Sequence, residues 1–205
     1  LARQQKRVFE GLRCFVDAII PLPQKSQIVN TIPRDPHWCA APVAAGALRR
    51  WLTDRGSLTA RLERHAGPIK VKVLFQGLRR VNRDEAFLFD SPVSRVLVRE
   101  VLLLRGTKPL VFAHTVVAPG ALRGAWRSVT ALGSRPLGAA LFADPRIARF
   151  PLRQKKLPLY HPLHRRAAAQ LKKQAPPLWA RRSIFAAGGS PILVSEVFLP
   201  ALYDL

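Results

Sequence analysis

The chain has 205 residues, 48% of them apolar, a net charge of +22 and two cysteines. That length and apolar share suit one domain with a substantial core and exclude wholesale disorder. No run reaches the roughly 18 to 20 apolar residues that a membrane-crossing helix needs, and two cysteines build no disulfide framework, which points to a reducing cytoplasm.

Residues 1–37 read as an N-terminal extension, broken by Pro21, Pro23, Pro33 and Pro36 and without sustained periodicity. The short apolar stretch from Cys14 to Ile20 carries Asp17 and lacks a small-residue cleavage site, so it does not read as a signal peptide. The chain has no methionine, even at position 1, which suggests a fragment boundary or a start set too far upstream. The extension holds 6 basic against 3 acidic residues, so the charge excess belongs to residues 38–205. It is densest between Pro145 and Arg182, where 11 basic residues meet no acidic one. Such a field attracts phosphates, anionic lipid and small anions alike. Its plainest reading is a solvated basic surface. No aromatics interleave with the run and no binding motif appears, so nucleic acid is not an expected partner.

From Trp38 onward the patterning strengthens. Pro42 to Asp54 carries a helical stripe ended by Gly56, and Ser57 caps a second helix, Leu58 to His65. Ile69, Val71, Val73 and Phe75 alternate with Lys70, Lys72 and Leu74 as in a half-buried strand. Val96–Leu104 and Leu110–Val117 form a hairpin across Gly106. Helices are expected over Gly120–Leu132 and, started by a proline, Arg135–Phe142; Leu163–Gln174 reads as an exposed helix. A second hairpin pairs Arg182–Ala187 with Ile192–Leu199 across Gly188-Gly189. Hairpin-linked strands without βαβ crossovers predict an antiparallel sheet of the α+β class.

Two strands carry a charge on an apolar face. Alternation puts Arg99 with Leu97, Val101 and Leu103, and Glu196 with Ile192, Val194 and Phe198. A buried unpaired charge costs several kcal/mol, so each requires a partner or a polar cavity. One reading makes them core ion pairs, with each other or with Glu100, Arg181 or Arg182. The other turns both toward an enclosed ligand, the arginine fork holding a carboxylate and the glutamate a hydroxyl. Other chemistry is thin. His161 and His164 lack further ligands at zinc spacing, Cys39 reads as a packing thiol beside Trp38, Ser183 and Ser195 lack a nucleophile motif, and His114 reads as a satisfied core histidine.

The segments Trp51-Leu52, Gly56-Ser57-Leu58-Thr59, Val98-Arg99-Glu100-Val101, Thr115-Val116-Val117, Leu132-Gly133, Arg135-Pro136-Leu137-Gly138, Leu178-Trp179-Ala180-Arg181-Arg182-Ser183 and Glu196-Val197-Phe198-Leu199-Pro200 stand in a characteristic order. In that order and spacing, from Trp38 to the C-terminus, the chain resembles the bacterial chorismate pyruvate-lyases. The resemblance implies a cofactor-free, metal-free enzyme that converts chorismate to 4-hydroxybenzoate and pyruvate for ubiquinone biosynthesis. It implies an antiparallel sheet whose ligand lies buried under helical flaps. Arg99 would bind the ring carboxylate, Glu196 the ring hydroxyl, and Leu58 and Leu137 would complete the substrate and product site through backbone and packing. Two departures stand out: His114 occupies a position usually held by Arg, and a basic insert around Lys155–Lys173 has no obvious counterpart. If the usual Arg binds the second carboxylate, His114 would do so only when protonated, unless Arg181 or Arg182 compensates. The insert would lengthen a flap or touch an anionic membrane surface. The expected protein is a cytoplasmic monomer. The rival reading is a ligand-sensing domain of the same fold, which is normally preceded by a winged-helix domain that residues 1–37 do not resemble.

Overall fold

A computed structural model of the chain describes residues 38–40, 46–89, 95–171 and 175–205. The expected N-terminal extension, like the start of the helix expected from Pro42, lies outside them. Helix α1 (Ala47–Thr53) leads into α2 (Leu58–Ala66), whose cap is Ser57, its Oγ accepting from Ala60 N at 3.4 Å. The remaining elements are β1 (Ile69–Arg80), β2 (Arg95–Arg105), β3 (Lys108–Val117), α3 (Arg127–Thr130), α4 (Leu137–Ala143), β4 (Ala148–Arg149), β5 (Arg153–Leu157), α5 (Pro162–Ala168), β6 (Leu178–Ala187) and β7 (Ser190–Phe198).

The seven strands make one antiparallel sheet in the order β1-β2-β3-β7-β6-β4, and β5 also pairs with β6. The β6–β7 hairpin turns on Gly188 and Gly189, at φ of 53° and 76°. Two successive left-handed residues match the twist of the strands they join, and glycine adopts them without strain.

β2 is buried along nearly its whole length because both faces of the sheet are covered. On the front face, α1 and α2 pack over Val71, Val101, Leu103, Val111 and Phe198 at one end. Trp126 and Val129, with Leu137 and Leu141 of α4, pack over Leu97, Val117, Phe185 and Ile192 at the other. On the back face, Leu163 and Ala167 of α5 join Leu102, Phe112, Leu178 and Val197, while Leu88 and neighbouring phenylalanines cover Val96, Val98, Val116 and Ile184. Each face thus has an apolar cluster at either end, and the polar residues fall between.

Several expectations change. The basic stretch is no loose insert: β5 hydrogen-bonds to β6, and α5 buries Leu163, His164 and Ala167 behind the sheet, away from the front-face helices. A buried leucine contributes about 2 kcal/mol, so these positions outweigh the polar composition that suggested an exposed helix. Gly120–Leu132 divides into a 3-10 turn, Pro119–Arg123, and the single turn of α3. Cys39 is exposed, not packed, and its backbone pairs with that of Gln154.

Candidate active site

The polar band of the front face opens into a cavity under the helices, with about 630 Å³ of atom-free space, solvent at its mouth included. Strand register sets its floor. One row across the sheet runs Arg99, Thr115, Val194, Ser183, and the next runs Val101, Ala113, Glu196, Arg181. Leu58 and Thr59 of α2 and Leu137 and Gly138 of α4 form the cover. There is little space between these helix starts: a Cβ added at Gly138 would stand 3.1 Å from Ser57 Oγ. All four expected site residues, Leu58, Arg99, Leu137 and Glu196, therefore line one cavity.

Their charges are handled differently. Glu196 accepts from Arg181 Nε at 2.6 Å, and Arg181 Nη1 also donates to Trp51 O and Asp54 O, each at 2.8 Å. This buried arginine joins the carboxylate to the C-terminal end of α1 and holds it in one orientation. Arg99 makes no ion pair among the described residues. Its Nη2 donates to Gly133 O at 2.9 Å and Arg135 O at 3.2 Å, and its buried Nε has no partner. Burial alone pulls the Arg99 pKa downward, which leaves a desolvated cation with a free donor. Gly133, at φ 52°, shapes the turn that presents those two carbonyls. Asp54 supports the rim: burial raises its pKa, but the Gly56 N–H and Arg61 outweigh that and hold it below the usual carboxylate range.

One further cation reaches the cavity. Arg149, from the two-residue β4, donates from Nε to Ser183 Oγ at 3.2 Å and from Nη1 to Arg55 O. Its guanidinium rests against the rings of Phe142 and Phe185, about equally far from both. Sequence reasoning missed Arg149 because an isolated arginine in a basic run carries no periodic signal. Arg181 and Ser183 were legible in principle, since pairing of β6 with β7 puts odd positions of β6 beside Glu196.

His114 faces the other way. It pairs in register with Glu100 and Ser195 on the back face, so it takes no part in the cavity. Fully buried, its Nδ1 lies 3.0 Å from Glu100 Oε1 and its Nε2 3.0 Å from Glu85 Oε1. Burial lowers its pKa, but the two carboxylates more than compensate and raise it to about 8. Arg79 and Arg166 complete the cluster on Glu100. Beside it, Asp84 receives Arg182 Nη1 at 3.1 Å and lies 3.3 Å from His161 Nε2. His161 also caps α5, and His164 contacts Pro176 O. These are structural roles, and Arg181 and Arg182, at the end of the basic run, lie inside the fold, each 1% exposed.

A family model described as "Chorismate lyase" matches residues 40–205. The chain is 47% identical over 171 residues to the "Probable chorismate pyruvate-lyase" of Nitrosospira multiformis, covering 82% of this chain and 95% of that protein. It is 46% identical over 170 residues to the protein of the same name from Nitrosomonas europaea, covering 82% and 96%. Among solved structures, the effector domain of PhnF from Mycobacterium smegmatis is similar at 14% identity and a TM-score of 0.47, covering 71% of this chain and 90% of that one.

Proposed function

The chain belongs to the chorismate lyase family, and on that premise we propose that it converts chorismate to 4-hydroxybenzoate and pyruvate, the opening step of ubiquinone biosynthesis, with its own side chains and backbone groups. One observation supports this above the rest: an unneutralised, buried Arg99 and a Glu196 held by Arg181 enter one covered cavity from different strands. Arg99 takes the ring carboxylate in a two-pronged contact. Glu196 takes the ring hydroxyl, and the starts of α2 and α4, at Leu58 and Leu137, close over the ring with backbone N–H groups and apolar surface.

The reaction asks little covalent chemistry of the protein. The ether bond to the enolpyruvyl group breaks, the neighbouring ring carbon loses its proton, and the ring becomes aromatic. The protein orients the dianion, excludes water and stabilises charge as it separates. Arg181 keeps Glu196 aimed, and α2 and α4 exclude solvent. A monomer is the proposed working unit, because the residues given roles here all line one cavity of this chain. The exposed Cys39 thiol fits a reducing cytoplasm.

Purified protein incubated with chorismate is expected to release equimolar 4-hydroxybenzoate and pyruvate, and Arg99→Ala is expected to abolish release. Near-wild-type turnover by that variant would refute the assignment of Arg99. Tight 4-hydroxybenzoate binding without any turnover would mark a binding domain instead.

A further inference from the structure

Chorismate carries two carboxylates, and the one on its enolpyruvyl group has no partner in the assignment above. We propose that Arg149 binds the enolpyruvyl carboxylate and is a catalytic residue of the reaction, an inference that rests on the cavity being a chorismate site.

Three arginines reach the cavity, and their charges are committed to different extents. Arg181 is bound to Glu196 and to two carbonyls at the end of α1. Arg99 stands on β2, at the end assigned to the ring carboxylate. Arg149 bonds only the neutral Ser183 hydroxyl and the Arg55 carbonyl, and makes no ion pair among the described residues. Its guanidinium carbon lies 5.1 Å from the Phe142 ring centre and 5.2 Å from that of Phe185, faces that position a cation without neutralising it. Burial, followed by repulsion from Arg181, lowers its pKa to about 10. An arriving anion relieves both penalties.

The placement matches the shape of the substrate. Arg99 and Ser183 stand at opposite ends of one register row, three strand spacings or about 14 Å apart. Arg149, bonded to Ser183, therefore enters from the side of β6 and β7, which carry Arg181 and Glu196. In chorismate the hydroxyl lies across the ring from the carboxylate, and the enolpyruvyl ether sits on the carbon next to the hydroxyl. With the carboxylate at Arg99 and the hydroxyl at Glu196, the enolpyruvyl group falls at the end where Arg149 waits. When the ring-carbon–oxygen bond breaks, its electrons leave on the enolate of pyruvate. The adjacent ring carbon releases a proton, and the enolate takes one up. A cation fixed beside that enolate stabilises the charge as it forms.

The test compares R149Q, R149K and R99Q for kcat/KM on chorismate and for Kd of 4-hydroxybenzoate, which carries the ring carboxylate alone. R149Q is expected to lose about 100-fold or more in kcat/KM while its Kd for 4-hydroxybenzoate stays within about threefold, which also reports that the variant is folded. R99Q is expected to lose both. R149K, which keeps the charge without the fork, is expected to recover part of the loss; should R149Q fail to fold, R149K is expected to show a smaller deficit, again on chorismate alone. R149Q with kcat/KM within about threefold of wild type, or with product binding lost in proportion, would overturn the proposal. Wild-type protein without turnover would instead undo the activity reading itself.

Discussion

Raising the pH from 6 to 9 should weaken the fold through one histidine. His114 has a folded pKa of about 8 against an ordinary value near 6.5. A group whose pKa is raised on folding binds its proton more tightly in the native state. Its contribution is therefore complete below pH 6.5, declines between 6.5 and 8, and is gone above 8. A gap of about 1.5 units at 1.36 kcal/mol each corresponds to roughly 2 kcal/mol. Urea unfolding followed by tryptophan fluorescence reads this directly. With a slope of about 2 kcal/mol per molar urea, the midpoint should fall by about 1 M across the window. His114→Gln removes the cation from between Glu85 and Glu100, so at pH 6 it should cost about 3 to 5 kcal/mol. The gap between wild type and variant should narrow by roughly 2 kcal/mol at pH 9. Equal stability of the wild type at pH 6 and pH 9, or a pH dependence that survives in His114→Gln, would refute this account of the cluster.

Other outcomes follow from the same contacts. Arg181→Met should destabilise the fold by about 3 to 5 kcal/mol, because Glu196 and two helix-end carbonyls lose their buried donor; thermal melts check this, and a neutral result would show that the ion pair is dispensable. The Asp84 carboxyl is desolvated, which raises its pKa, yet His161 and Arg182 outweigh that and hold it well below the usual range. Its stabilisation is present above the ordinary carboxylate pKa and lost as pH falls through the depressed one, so acid titration of stability should be shallower in Asp84→Asn than in the wild type. Leu159 and Tyr160, 50% and 82% exposed between β5 and α5, lie in sequence between the exposed Lys156 and Arg165. An apolar tip among cations suits an anionic bilayer surface, so co-sedimentation with phosphatidylglycerol vesicles should drop on L159S/Y160S. Equal sedimentation of wild type and variant would remove that contact.

The long strands and both hairpins were legible because hydrophobic alternation and glycine turns act over a few residues. Alternation alone also put Arg99 and Glu196 on buried faces, although it left open whether they were ion pairs or ligand contacts. Glu196 is ion-paired to Arg181, as the first reading has it, and also lines the cavity on which the second depends. What escaped was fixed by distant partners. β4 is too short to show a period and exists because β6 accepts it. The register of β2 and β3 puts His114 beside Glu100, but Glu85 arrives from a loop, so no spacing rule predicts that pair. Comparing His114 with the usual arginine suggested a substrate contact; strand parity, which places it opposite Thr115's side, argues for the ion cluster.

That parity has a consequence for the gene. In β2, β3, β6 and β7 the pocket-facing residue and its back-face neighbour are adjacent in sequence: Arg99 and Glu100, Thr115 and His114, Arg181 and Arg182, Glu196 and Ser195, the first three of these back-face residues belonging to the ion clusters. A missense change in one of these strands alters one side of the partition and can leave the other intact. Deleting a single codon upstream within the same strand exchanges the two sides at once, sending a structural carboxylate into the cavity and a pocket arginine into the rear lock. A one-residue insertion or deletion in any of these four strands should therefore do more damage than a substitution confined to one of its faces.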